Sequence, residues 1–342
     1  MTLRPVGVYA DIPVPTATAS TTTARRQATT INDDGDDKNA CANVSLWYIL
    51  VVAVNLYLKG FDMDKAQGLE IGRAAASADV AQVKALLSAL IGDDDTTRRG
   101  TWAYFANKTL QYLDNAAPSP FAIWNLNGNI KLPFAAFSTL PQVTCPGAGT
   151  CLDICYSFKS WRYPAPYFRQ LVNTLLMATA AGRQVIATAT ANLPQNIAIR
   201  LYVDGDFASV EQVAYWMEQI SKRPDLAVYG YSKSWVELLA YDGKWPSNYL
   251  LNLSNGGNAE HLRGDVARLP IARGDFLTVD IDSKLAGKYD DKAYKSAVRA
   301  SAKSAGIDKA FICPGKCGAC TKSGHFCGRS DTSGVAVVIG VH

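Results

Sequence analysis

IAIRLYVDGDFASVEQVAYWMEQISKRPDLAVYGYS, residues 197–232, reads as strand, turn, helix and strand in that order. Ile197 to Asp204 is a near-continuous apolar run carrying one buried arginine, Arg200, and it ends in the turn Gly205-Asp206. Ser209 then caps a helix, with Gln212 at the capping-box position and Val210, Val213, Met217 and Ile220 on one face. Leu226 to Ser232 is the next strand. Apolar strands joined by an amphipathic helix are the pattern of a parallel sheet, whose strands are covered on both faces. A helical stretch from about Ser234 and strands over residues 249–254, 276–282 and 335–341 extend the series. The expected fold class is α/β, either a mainly parallel sheet or a partial β/α barrel.

Upstream the composition changes. Residues 1–40 are rich in Thr, Ala and Pro, then acidic at Asp33, Asp34, Asp36 and Asp37, and read as a disordered leader. Residues 41–119 read as a small helical subdomain, with Val80, Val83, Leu86, Leu87 and Leu90 at helical spacing. Residues 120–342 then form the α/β catalytic domain. The apolar stretch 46–58, broken by Asn55, is shorter than the roughly twenty residues a spanning helix needs, so a buried helix or strand is expected and no membrane partner. A hydrophobic content of 48% is ample for a buried core, and a net charge of +4 permits an anionic partner without announcing one.

Seven of the eight cysteines fall into two groups: Cys145, Cys151 and Cys155, spaced C-x5-C-x3-C, and Cys313, Cys317, Cys320 and Cys327, spaced C-x3-C-x2-C-x6-C. Glycines between them let the backbone wrap around one ion or cluster. A disulfide cage needs an oxidising setting, and residues 1–20 lack the apolar core of a secretory leader, so metal or iron–sulfur ligation is expected. Zinc and iron–sulfur remain open; His325 can replace a thiolate at zinc but less often at iron. The tail group also matches the C-x3-C-x2-C spacing of radical S-adenosylmethionine enzymes. Against that match stand its place near the C-terminus, where such motifs normally follow the first strand of a barrel, and the neighbouring Cys327, which would fill the open iron position. The upstream trio is an open cluster, a zinc site completed by another residue, or part of one site shared with the tail.

Parallel α/β folds place their sites at the carboxyl ends of strands. Those ends carry Asp204 and Asp206, then Tyr231, Ser232 and Lys233, then Ser254, Asn255, Gly256 and Gly257. Two carboxylates beside a glycine suit a divalent cation, a lysine suits a phosphate, and an Asn-Gly-Gly turn can offer amides to an anion. Solvated strand-end turns are the plainer reading of any one of them. After Cys155, residues Tyr156, Lys159, Trp161, Arg162, Tyr163 and Arg169 interleave rings and cations, as surfaces that grip single-stranded nucleic acid do. The plainer reading is core aromatics with solvated cations.

The combination of CPGAGTCLDICYS, RLYVDGDF, YGYSKS and the cysteine-rich tail resembles the cysteine-rich rolling-circle replication proteins of phages and plasmids, including those of some filamentous phages, over roughly residues 120–342. The resemblance implies an initiator that nicks supercoiled double-stranded DNA at an origin through a tyrosyl phosphodiester and rejoins the displaced strand. It implies Tyr231 as nucleophile, Asp204 and Asp206 as ligands of magnesium or manganese, and Lys233 as electrostatic partner. Tyr229, Tyr156 and Tyr163 are rival nucleophiles. Phage or plasmid origin DNA, host helicase and polymerase would be the partners, in the cytoplasm of a bacterial host. The widespread rolling-circle nickases hold their cation with an H-x-H pair, and this chain has only His261, His325 and His342. Two other classes stay open: an iron–sulfur enzyme in which Asp206, Tyr231 and Asn255 bind a small substrate, and a non-catalytic zinc-stabilised DNA-binding protein.

Overall fold

The computed structural model describes residues 63–126, 134–315, 320 and 325–341. The leader, the apolar stretch 46–58 and Cys317 lie outside them. Among the described residues three helices come first: α1 (Lys65–Ala76), α2 (Val80–Ile91) and α3 (Trp102–Leu113). Each starts at a side chain that satisfies an orphan amide. Asp64 and Gln67 form a complete capping box on α1, Asp79 caps α2 and Thr101 caps α3.

Seven strands follow: β1 (Ala135–Ala136), β2 (Ala198–Leu201), β3 (Ala227–Ser232), β4 (Tyr249–Ser254), β5 (Ala272–Val279), β6 (Ala310–Ile312) and β7 (Ala336–Gly340). They form one sheet, ordered β1-β2-β3-β4-β5-β7-β6, with every pairing parallel. The fold is α/β, with a small helical region at its amino-terminal side. Between the strands lie α4 (Pro164–Ala178), α5 (Ala180–Ala191), α6 (Val210–Ser221), α7 (Trp235–Leu239), α8 (Arg263–Val266) and α9 (Lys292–Ser304).

From β1 to β6 the chain always steps the same way across the sheet, so right-handed crossovers put all six helices on one face. The step from β6 back to β7 runs the other way, and the same handedness puts Cys313, Phe326 and Cys327 on the opposite face. Burial agrees. Leu201, Val228, Leu251 and Leu253 pack in the main core with the helices, whereas Tyr229 and Val337 pack with Cys327 and Phe326.

Three elements depart from expectation. β2 stops at Leu201 because Tyr202 takes φ +52°, held there by hydrogen bonds of its hydroxyl with Trp216 Nε1 (3.0 Å) and Gln212 Oε1 (3.2 Å). Gln212 therefore serves Tyr202 and the Ala208 amide, while Ser209 alone caps α6. β5 begins at Ala272, and Asp282 lies beyond it as the cap of a short 3-10 turn. A bulge also interrupts β5: Ala272 pairs Leu251 and Gly274 pairs Asn252, which leaves Arg273 as the extra residue. Bulges re-aim side chains, and this one turns Arg273 onto the face opposite the helices, against Asn252 and Phe326.

Candidate functional site

After β1 the chain passes through residues 137–163 before entering α4, and this loop carries Cys145, Cys151 and Cys155. It is fastened to the loop after β4. The Cys151 amide donates to Gly256 O (3.2 Å), the Asn258 amide to Gly147 O (3.0 Å) and Asn258 Nδ2 to Pro146 O (2.9 Å). Gly147 also lies against the Lys233 carbonyl after β3, where a Cβ would collide with it, and a Cβ on Gly149 would sit 2.7 Å from the Gly257 carbonyl carbon. The glycines of CPGAGTC are thus demanded by close backbone approach, which presses this part of the loop onto the carboxyl ends of β3 and β4.

Cys145, Cys151 and Cys155 are free, half-buried thiols. Burial pushes the Cys145 thiol up, and the nearby Asp206 carboxylate and Cys155 push it further, against a smaller opposing effect of Lys233. Such surroundings disfavour a nucleophilic thiolate, whereas bound metal would ionise the thiol outright.

The two carboxylates face inward. Asp206 is 5% exposed; its Oδ1 accepts from Ser232 Oγ (2.7 Å) and the Phe207 amide (2.8 Å), and its Oδ2 from the Lys233 amide (2.8 Å). Asp204 accepts from Gln170 Nε2 (3.0 Å) and is also hydrogen-bonded by Ser157 and Ser138. Burial raises the pKa of both against these hydrogen bonds. The two carboxylates tie the strand-end loops together. Among the described residues, no three His, Cys, Asp or Glu side chains are gathered to hold one ion.

Tyr231 lies on the other side of β3. Side chains alternate along a strand, so Tyr231 and the Asp206 partner Ser232 point to opposite faces. The Tyr231 ring packs edge-on against Phe276 (4.7 Å) and under the Arg200 guanidinium (4.6 Å). Arg200 also donates to the Tyr156 hydroxyl (3.5 Å), which itself donates to Val203 O (2.7 Å). Lys233 Nζ donates to Ser254 Oγ (3.0 Å). The edge therefore brings together the upstream cysteines, Asp204, Asp206, Lys233, Tyr156, Arg200 and Tyr231. In the sequence, Arg200 reads only as a strand residue.

Two expectations about this edge are corrected. Two amides of the Asn-Gly-Gly turn are engaged: Asn255 N donates to Phe276 O and Gly257 N to Glu260 Oε1. Of the aromatic and cationic segment, Trp161 is 6% exposed and donates to Gln170 Oε1 (3.0 Å), while the Arg169 Nε is buried with no hydrogen-bond partner. They belong to the packing under α4, whose start was signalled by Pro164 at its first position. Tyr156 and Tyr163 remain on the surface, 53% and 66% exposed, with exposed Lys159 and Arg162 beside exposed Asp153 and Ile154.

The tail cysteines sit elsewhere. Cys313 follows β6, and with Cys327 it packs in the cluster of Tyr229, Phe276 and Val337 on the face opposite the helices. Cys320 Sγ accepts from the Phe326 amide (3.1 Å).

A family model described as gene product 88 matches residues 106–329. The chain belongs to the gene product 88 family. That match runs from within α3 through both cysteine groups and the carboxyl ends of β1 to β5, so the edge described above lies inside the family's own span. No curated protein and no solved structure matches the chain.

Proposed function

We propose that this member of the gene product 88 family is an iron–sulfur enzyme whose cluster is held by Cys145, Cys151 and Cys155 at the carboxyl edge of the sheet. One observation carries the reading: a three-cysteine loop, fixed by glycine-only contacts, follows the first strand and is pressed onto the ends of β3 and β4. That is where parallel sheets assemble their chemistry. A single zinc bound at about 2.3 Å needs its sulfurs within about 4 Å of one another, whereas a cluster spreads its ligands around several irons. Among the described residues no three such groups are gathered around one ion, which favours the second arrangement. When bound, such a cluster with three protein ligands supplies electrons and one open iron. Lys233 and Arg200 supply positive charge for an anionic substrate, Asp206 fixes the turn that carries Lys233, and Tyr231 with Phe276 forms an apolar wall.

The test is iron and sulfide analysis with visible absorbance on anaerobically purified full-length protein. About four irons per chain are expected for a cubane, lost in Cys145→Ser, Cys151→Ser and Cys155→Ser with far-UV circular dichroism unchanged. A colourless, iron-free chain after anaerobic reconstitution would overturn the assignment.

A second reading rests on Tyr231 beneath Arg200, which also reaches Tyr156, and on the exposed Tyr163, Lys159 and Arg162 of the segment that follows Tyr156. In it the protein is a replication initiator that nicks phage or plasmid DNA at an origin through Tyr231, with Lys233 countering charge and magnesium or manganese on the scissile phosphate. Host helicase and polymerase would then be partners in the bacterial cytoplasm. Covalent protein–DNA adducts on supercoiled DNA, abolished in Tyr231→Phe, would favour this reading. No helix of the described residues is long and apolar enough to cross a membrane.

A further inference from the structure

A block of charge that the site above does not use lies on α9, whose sequence is KAYKSAVRASAKS. It holds Lys292, Lys295, Arg299 and Lys303 and no acidic residue, so this one helix carries as much positive charge as the whole chain has in excess, +4. At about 3.6 residues per turn the four cations fall within about 80° of one another and form a row about 16 Å long. Lys292, Arg299 and Lys303 are exposed and Lys295 is half-buried. The other exposed positions of the helix are Ala293, Ser296, Ala300 and Ser304, all small, so no bulky side chain of α9 keeps a partner off the row.

The row works against the helix that carries it. Lys295 with Arg299 and Arg299 with Lys303 are like charges one turn apart, a destabilising arrangement, and Lys292 sits at the positive end of the helix dipole. Only Lys303, in the last turn, is favoured by that dipole. Elsewhere Lys84, Lys222, Arg263 and Arg268 each meet a carboxylate. Among the described residues none of the four cations of α9 does, and Lys295 Nζ donates to the neutral Asp290 O (3.4 Å). Cations set in a row at a cost to folding call for a partner that brings the negative charge.

The apolar face of α9 is already taken. Tyr294, Val298 and Ala302 are buried in one cluster with Val279 and Val338, and the Tyr294 hydroxyl accepts from the Gly340 amide (3.0 Å). A helix that lies on a membrane must offer its apolar face to lipid, and here that face is packed on β5 and β7. A nucleic-acid backbone needs only a row of cations to follow its phosphates. Flexible single strands are gripped by rings as well as cations, and the exposed positions of α9 carry no ring. They also carry no Asn, Gln, Asp or Glu and a single Arg, so the face suits phosphates and not base edges.

We propose that α9 binds the phosphate backbone of duplex nucleic acid, without regard to sequence, through Lys292, Lys295, Arg299 and Lys303. The proposal uses neither the edge cysteines nor Tyr231, so it and either reading of that edge can fail separately.

The test is fluorescence anisotropy of a labelled, mixed-sequence DNA duplex titrated with the full-length chain over a range of salt. Each phosphate neutralised contributes about −0.9 to the slope of log affinity against log salt, so four contacts give about −3.6. Combining Lys292→Gln, Arg299→Gln and Lys303→Gln should weaken binding at least tenfold at low salt and bring the slope to about −0.9. Because like charges are removed, that variant should melt no lower than the parent. A control that removes equal charge elsewhere, Arg98→Gln with Lys222→Gln and Lys244→Gln, should keep the parent's slope. No duplex binding by the parent, equal weakening in variant and control, tighter binding of a single strand, or a loss seen with phosphatidylserine vesicles in place of DNA would overturn the proposal. A lower melting temperature in the α9 variant would overturn it too, by assigning the cations to the fold.

Discussion

Asp206 brings three donors from two loops onto one carboxylate at 5% exposure. Burial nonetheless raises its pKa, and that of Asp204, above the ordinary value of 3.8. Between 3.8 and the raised folded values the native chain holds protons that the unfolded chain has lost. Stability is then fully present below 3.8 and falls as pH rises through the folded values. Asp206→Asn should flatten that decline. It should also destabilise the protein by about 1–3 kcal/mol, because its amide group must face a donor where the carboxylate accepted. Urea melts from pH 4 to 8 check both, and an unchanged slope would assign the decline elsewhere. The position of Asp206 at a strand end was legible from the run 197–206, but its role was not. Its partners Ser232 and Lys233 lie one whole βαβ step away, and no local pattern announces that pairing. Tyr231 repeats the point: its strand was plain, while its separation from Asp206 depends on which face each residue takes.

At the scale of elements, the loop of Cys145, Cys151 and Cys155 is positioned by two glycines rather than by its own secondary structure. Gly147→Ala puts a methyl group into the Lys233 carbonyl, which cannot move without dragging the Asp206 hydrogen bonds with it. The expected outcome is a loss of about 1–3 kcal/mol together with loss of cluster iron. Gly264→Ala, in α8 with nothing near the new methyl, should be neutral or stabilising by up to about 1 kcal/mol with iron retained. Parallel melts and iron assays compare them, and equal iron in both variants would show that the loop is not held by this contact. The long strands β3, β4 and β7 were readable because each is an apolar run bounded by turn residues. β1 has two residues and β6 has three, too short for any periodicity to register. The approach to α4 was hidden differently: Trp161 is a core residue, but next to Lys159 and Arg162 it reads as part of a binding surface.

Across the whole molecule, composition suggested a boundary near residue 119 between a helical region and the α/β domain. The packing runs straight through it. Ile71, Val83, Leu87 and Trp102 share one core with Tyr167, Phe168 and Leu171, and the Tyr167 hydroxyl donates to Gly68 O in α1 (2.9 Å). Trp102 meets the rings of Tyr167 and Phe168 at 5.5 and 5.8 Å, and Trp161 lies against Gly68. These aromatic side chains form the outer face of α4 and its approach, and without α1 to α3 that face would be bare. Exposing a large apolar side chain forfeits about 1.5–3 kcal/mol, so uncovering Trp161, Tyr167, Phe168 and Leu171 together approaches the about 5–15 kcal/mol by which a domain is stable at all. A fragment of residues 120–342 is therefore expected to lack a cooperative thermal transition and to bind a hydrophobic dye at 25 °C. The full chain, melted alongside it, should unfold in one step that includes α1 to α3. A fragment that melts cooperatively at the parent temperature would mean that the helices rest on the α/β layer without supporting it.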